Sequence, residues 1–123
     1  MNMSVQSAEP VSADQITPYQ VINLLLDGAL ERVDKAISRL GEGDIDEAAA
    51  LVQRTIDIVA SLRGSLNMEE GGAIAINLDK LYEYIVVRLH SISTEEEPVA
   101  ILDEVRKLLS EIHDGWTGIA SEV

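Results

Sequence analysis

The sequence predicts an all-α protein, an antiparallel up-down four-helix bundle with a mobile N-terminal segment. Three observations predict it. Apolar residues recur at three- and four-residue spacing in four stretches, each long enough for a helix of about 30 Å. Short connections join the stretches, which makes successive helices antiparallel neighbours. No alternation of apolar and polar residues long enough for a strand interrupts them.

Residues 1–16 mix Ser, Ala, Gln, Pro and acid without a sustained period, and read as a tail anchored only through Val11 and Ile16. The bundle domain is expected over residues 17–120. Thr17-Pro18-Tyr19-Gln20 is a helix start, with a Thr cap, Pro at the first helical position and Gln three residues after the cap. Ile22, Leu25, Leu26, Ala29, Leu30, Val33, Ala36, Ile37 and Leu40 form the first stripe, and Gly41 is expected to end it in the left-handed conformation. Asp44, with Glu47 three residues on, opens the second stripe: Ile45, Ala48, Val52, Ile56, Val59, Leu62 and Leu66. The run Asn67 to Gly72 breaks the pattern, and Asn67 with Glu70 can cap the third stripe of Ile74, Leu78, Leu81, Tyr82, Ile85, Leu89 and Ile92. Thr94-Glu95-Glu96-Glu97-Pro98 opens the fourth, with either Thr94 or Glu97 as cap and three acids at the positive end of the helix dipole. Ile101, Leu102, Val105, Leu108, Leu109, Ile112 and Trp116 complete it.

Charge narrows the function. Twenty-two acidic side chains face nine basic ones, a net charge of −13. A field this negative repels phosphate backbones and anionic headgroups, so neither nucleic acid nor a membrane surface is an expected partner. No Lys or Arg precedes Arg32, so no basic arm and no positive signal-peptide start is present, and no apolar run approaches the roughly 20 residues of a membrane span. The absence of cysteine removes disulfides, zinc ribbons and thiol nucleophiles and suits a reducing compartment.

Catalytic and metal chemistry lacks its ligands. A di-iron bundle needs Glu-x-x-His on two helices, but Val87 and Ser110 stand at that spacing before His90 and His113. Gly41-Glu42-Gly43 and Glu70-Gly71-Gly72 lack the Gly-Lys-Ser/Thr of a phosphate loop and carry acids that repel anions, so they read as turns. Asp44-Ile45-Asp46 lacks the Gly and terminal Glu of a calcium loop. The sequence therefore predicts no enzyme, no cofactor and no metal. The one alternative with chemistry is a phosphotransfer bundle using His90, with Arg88 to steady a phosphoryl group.

One feature exceeds what a bundle needs. A core-facing helix requires about three apolar positions in seven, whereas residues 72–92 hold 13 apolar residues in 21. Ile76, Val86 and Val87 lie beside or beyond the third stripe, as Leu24 does in the first. Either the third helix is buried centrally or it offers a groove to a partner helix. Tyr82 and Tyr84 stand two apart and cannot share one stripe; Tyr82 is expected in the core and Tyr84 outside it. Gly28, inside the first helix, is expected to allow close helix packing.

The run Ser65-Leu66-Asn67-Met68-Glu69-Glu70-Gly71-Gly72-Ala73-Ile74-Ala75-Ile76-Asn77-Leu78, continued by Leu81-Tyr82-Glu83-Tyr84 and Arg88-Leu89, resembles the signature of the bacterial flagellar export chaperone family FliS. Thr17-Pro18 with Leu24-Leu25-Leu26-Asp27-Gly28-Ala29-Leu30, then Gly43-Asp44-Ile45 and Trp116, extend the resemblance over about residues 16–117. It departs in four places: residues 1–18 carry no aromatic, Leu26 stands before Asp27-Gly28 where the family often has an aromatic, Asn67 replaces the usual Asp, and Ala73 replaces the usual Glu. The resemblance implies a cytoplasmic chaperone that binds the disordered C-terminal segment of flagellin and prevents early polymerisation. It also implies help in delivering flagellin to the flagellar type III export apparatus, with an export-gate component and flagellar regulators as further partners. Ile16, Leu24, Ile76, Tyr84, Val86, Val87 and Leu89 are the expected partner-binding residues.

Overall fold

The computed structural model describes residues 17–92 and 97–120; the tail at 1–16, including Ile16, lies outside them, as does Thr94. Four helices follow in order: α1 (Pro18–Gly41), α2 (Ile45–Gly64), α3 (Met68–Ser91) and α4 (Pro98–Ala120). No strand occurs among the described residues. Helix α1 packs on α2 and α4, and α3 on the same two, so α1 and α3 face each other diagonally across the core. The α1–α2 seam is the most extensive and the α3–α4 seam the least.

The helix starts follow local chemistry. Thr17 Oγ1 accepts the Gln20 N–H at 3.1 Å and Gln20 Oε1 accepts the Thr17 N–H at 3.0 Å, which satisfies two amide donors that the helix start leaves free. Asp44 Oδ1 accepts the Glu47 N–H at 3.2 Å in the same role for α2. Pro98 is the first residue of α4, with Glu97 directly before it. The end of α1 differs from expectation. Gly41 stays helical because Glu42 still donates to the Ser38 and Arg39 carbonyls, and the left-handed residue is Gly43, at φ 81°.

Stripes from all four helices meet in one core. Leu26, Ala29, Val33 and Ala36 come from α1, Val59 and Leu62 from α2, Tyr82, Ile85 and Leu89 from α3, and Leu102, Val105 and Leu109 from α4. Among the described residues Thr55 is the single polar one fully inside; its hydroxyl donates to the Leu51 carbonyl at 2.9 Å. Two stripe residues, Ile45 and Ile74, are instead exposed. Each lies in the opening turns of its helix.

Gly28 does not mark the close helix approach expected of it: the neighbouring helix leaves room for a β-carbon. A β-carbon there would stand 3.7 Å from Ile58 Cδ1 of α2 and 3.2 Å from the end of the Arg32 side chain. The tighter neighbour is the tip of a flexible chain, so alanine fits once Arg32 shifts. Alanine is also about 1 kcal/mol better than glycine inside a helix. Gly28→Ala is expected to raise stability by up to about that amount, read as a higher denaturation midpoint.

Three arginine–carboxylate pairs each tie a different seam: Arg63–Asp79 at 2.6 Å for α2–α3, Arg88–Glu104 at 2.9 Å for α3–α4, and Arg106–Asp34 at 2.5 Å for α4–α1. Such exposed pairs fix how the helices register more than they stabilise. Glu104 is the best connected, since the Tyr84 hydroxyl donates to its other oxygen at 2.6 Å. That hydrogen bond first, and the one from Arg88 second, hold the Glu104 carboxyl below its ordinary value, and the same contact raises the Tyr84 phenol. Arg63 lowers Asp79 in the same way. A carboxyl depressed on folding stabilises the folded state above its unfolded value, near pH 4, and that contribution fades as pH falls through the lower folded value. The stability gap between wild type and Glu104→Gln is therefore expected to be full at pH 6 and to shrink steadily below about pH 4. Urea titrations across that range measure it.

Candidate partner-binding surface

One end of the bundle is open. There α1 begins, α2 ends, α3 begins and α4 ends, and the four termini enclose a cavity of about 630 Å³. The capped first turn of α1 sets Tyr19 against Trp116 of α4, with ring centroids 4.8 Å apart and planes 12° from parallel. The Tyr19 hydroxyl donates to the Trp116 carbonyl at 2.7 Å, and the indole N–H returns to the Tyr19 carbonyl at 3.1 Å. This reciprocal clasp joins α1 to α4 and forms one wall. Leu62 and Leu66 supply the α2 wall, and Ile74, Ala75, Leu78 and Tyr82 supply the α3 wall.

At the mouth α3 is broken. Gly72 has φ 54° and ψ −130°, so Met68 to Gly71 form a turn set at an angle to the helix that follows. A β-carbon on Gly71 would lie 2.6 Å from the Ala75 β-carbon, so that position has no room for a side chain. The two glycines therefore have separate duties, close approach at 71 and a positive φ at 72. Past the break, Ile74 lines the cavity and is 67% exposed, while Ala75 beside it is buried.

The expected partner-binding residues divide. Ile76, Tyr84 and Val87 share the outer surface of α3, all exposed, and Leu24 is exposed on α1, across the diagonal from them. Val86 is half-buried against the core. Leu89 is not a surface residue: it is 1% exposed and packs with Ile85 in the core, since it follows Ile85 by one full turn on the inward side. Sequence reasoning missed Ile74, Tyr19, Leu66 and Leu78 as a wall set. The usable signal was the Gly-Gly break two residues before Ile74.

Neither histidine supports phosphoryl chemistry. His113 Nε2 stands 2.8 Å from Asp27 Oδ1 and ties α4 to α1. His90 lies in the last turn of α3, and its expected helper, Arg88, is committed to Glu104. Among the described residues no three His, Cys, Asp or Glu side chains gather as a metal site, and no helix is long and apolar enough to cross a membrane.

Four helices around one core, with an open apolar end, define the class: an all-α helical-bundle protein. The family model described as "Flagellar protein FliS" matches residues 1–123, and the chain belongs to that family, one of chaperones and not of enzymes. It is similar to the flagellar secretion chaperone FliSB of Pseudomonas aeruginosa, 41% identical over 103 residues that cover 84% of this chain and 81% of that one. The flagellar secretion chaperone FliS of Vibrio cholerae is 32% identical, covering 99% and 92% of the two chains. That of Salmonella typhimurium is 35% identical, covering 85% and 77%. The phosphotransfer alternative gains nothing from these likenesses.

Proposed function

We propose that this protein is a cytoplasmic flagellar export chaperone that holds the disordered C-terminal segment of flagellin. In doing so it prevents premature polymerisation and assists delivery to the flagellar type III export apparatus. An export-gate component and flagellar regulators are its further partners in this reading.

The observation that carries the proposal is that the signature block lines the open end. Leu66, Asn67, Gly71, Ile74, Ala75, Leu78 and Tyr82 all border the cavity. An apolar trough between helix ends suits the apolar face of a segment that becomes helical on binding. Burying such a face gives a negative heat-capacity change. A peptide spanning the flagellin C-terminus should bind in calorimetry with that sign, gain helical circular dichroism, and shift the emission of Trp116. This tryptophan is the only one in the chain and stands in the cavity wall. A folded sample showing no heat, no dichroism change and no emission change would sink the proposal.

A further inference from the structure

The opposite end of the bundle carries a second apolar recess, about 510 Å³, between the start of α2 and the end of α3. Ile45, Ala49, Val52 and Ile56 form its α2 side, and Leu89 and Ile92 its α3 side. Those four α2 positions fall at i, i+4, i+7 and i+11, a single stripe three turns long. Ile45 is 61% exposed although the stripe continues inward to the buried Val52 and Ile56. Ala49 is exposed and small, so a neighbouring backbone can approach α2 there without displacing a side chain.

Charge selects the occupant. The polar side chains on the lining are Gln53 and His90, and no lysine or arginine is among them. Asp46 and Asp57 each follow a stripe residue by one position, so both lie along the outer flank of the same groove, and Gln53 donates to Asp57 at 3.1 Å. Glu97 stands just before Pro98 of the lining. The nearby cation at the end of α1, Arg39, is engaged by Glu42 at 3.4 Å. An apolar floor with an acid-edged rim complements one kind of surface, an apolar helical ridge edged by cations.

We propose that this recess is a second docking groove, which takes an amphipathic helix of a partner protein with lysine or arginine along its flanks. Its outer end, Ile45, lies about 26 Å along α2 from Leu62 at the other cavity and its inner end, Ile56, about 9 Å, at 1.5 Å per residue, and the two mouths open at opposite ends of the bundle. The two ends can therefore be occupied together, and the chaperone joins its cargo to a second component. The groove goes beyond the flagellin reading and stands without it; only the joining of cargo to a second component rests on that reading.

The test uses a labelled synthetic 16-residue helix with Leu and Ala on one face and Lys on both flanks, and a counterpart with Glu in place of Lys. The full chain should bind the Lys peptide, with affinity falling as salt rises, and should bind the Glu peptide at least tenfold more weakly. Ala49→Tyr fills the groove without changing charge and should weaken the Lys peptide at least tenfold. Ile45→Ser, which removes an exposed apolar group, should weaken it several-fold. Trp116 emission should stay constant throughout, and both variants should bind the flagellin C-terminal peptide as wild type does. Equal binding of the Lys and Glu peptides would overturn the proposal, as would unchanged affinity in both variants or a Trp116 response that tracks the Lys peptide. Loss of flagellin-peptide binding by wild type would count against the flagellin reading alone.

Discussion

Ile74→Asp is expected to weaken binding of the flagellin C-terminal peptide by roughly ten- to a hundredfold while leaving the bundle folded. Ile74 borders the open cavity, and two-thirds of its surface is in water in the free chain. A partner segment seated there removes that surface from water. Burying an isoleucine side chain contributes about 1.5–3 kcal/mol, and each 1.4 kcal/mol is about tenfold in affinity. Aspartate forfeits that gain and adds the cost of desolvating a carboxylate. In the free protein the same change replaces an exposed side chain and should move stability by only about 0.5 kcal/mol. Leu24→Asp, on the outer side of α1 and away from the cavity lining, should weaken the peptide less. Val86→Asp should act chiefly on stability, because Val86 packs against the core. Calorimetry of the three variants, each with a thermal melt, separates these outcomes. A wild-type affinity in Ile74→Asp would move the peptide off the open end.

What was legible in the sequence was what local spacing decides. The Thr17–Gln20 and Asp44–Glu47 caps form as their three-residue offsets require, because both partners lie within one turn. Tyr82 goes inside and Tyr84 outside, since two residues on a helix differ by about 200° in direction. What was not legible depends on neighbours that sequence does not place. Leu89 and Val87 both belong to an over-wide apolar face, and only the positions of α2 and α4 decide that the first is core and the second is exposed. Ile74 and Ile45 fit their stripes in period, yet are exposed at the cavity and the recess that they line. Gly41 and Gly43 are equivalent candidates for a helix end until the Glu42 amide is seen to keep its helical bonds. The open end escaped notice for the same reason: it is made by four helix termini, and each stripe taken alone looks continuous.

Gly72→Ala is expected to cost about 1–3 kcal/mol, the range for a residue forced into a sparsely populated backbone region, and to narrow the mouth of the cavity. The size of the effect follows from both torsions. At φ 54° and ψ −130° Gly72 is outside the left-handed helical region, where ψ is near +47°, and close to the first central position of a type II′ turn. Asparagine, which tolerates the left-handed helix, is therefore expected not to rescue the site. The mirror image of these torsions is ordinary extended backbone for an L-residue, so D-alanine placed at 72 by semisynthesis should be tolerated at little cost. The series Gly, D-Ala, Asn, Ala should thus rank stability with D-Ala nearest wild type and L-Ala and Asn together below it. Gly71→Ala tests the neighbouring duty, because its β-carbon meets the buried Ala75 β-carbon at 2.6 Å. That clash is between two fixed groups, so relief requires the Met68–Gly71 turn to move away from α3. If L-Ala at 72 matched wild type in both melting temperature and peptide affinity, the break would be an accommodation of sequence. If both fell together, the same two torsions would set the fold of α3 and the opening through which the chaperone receives its partner.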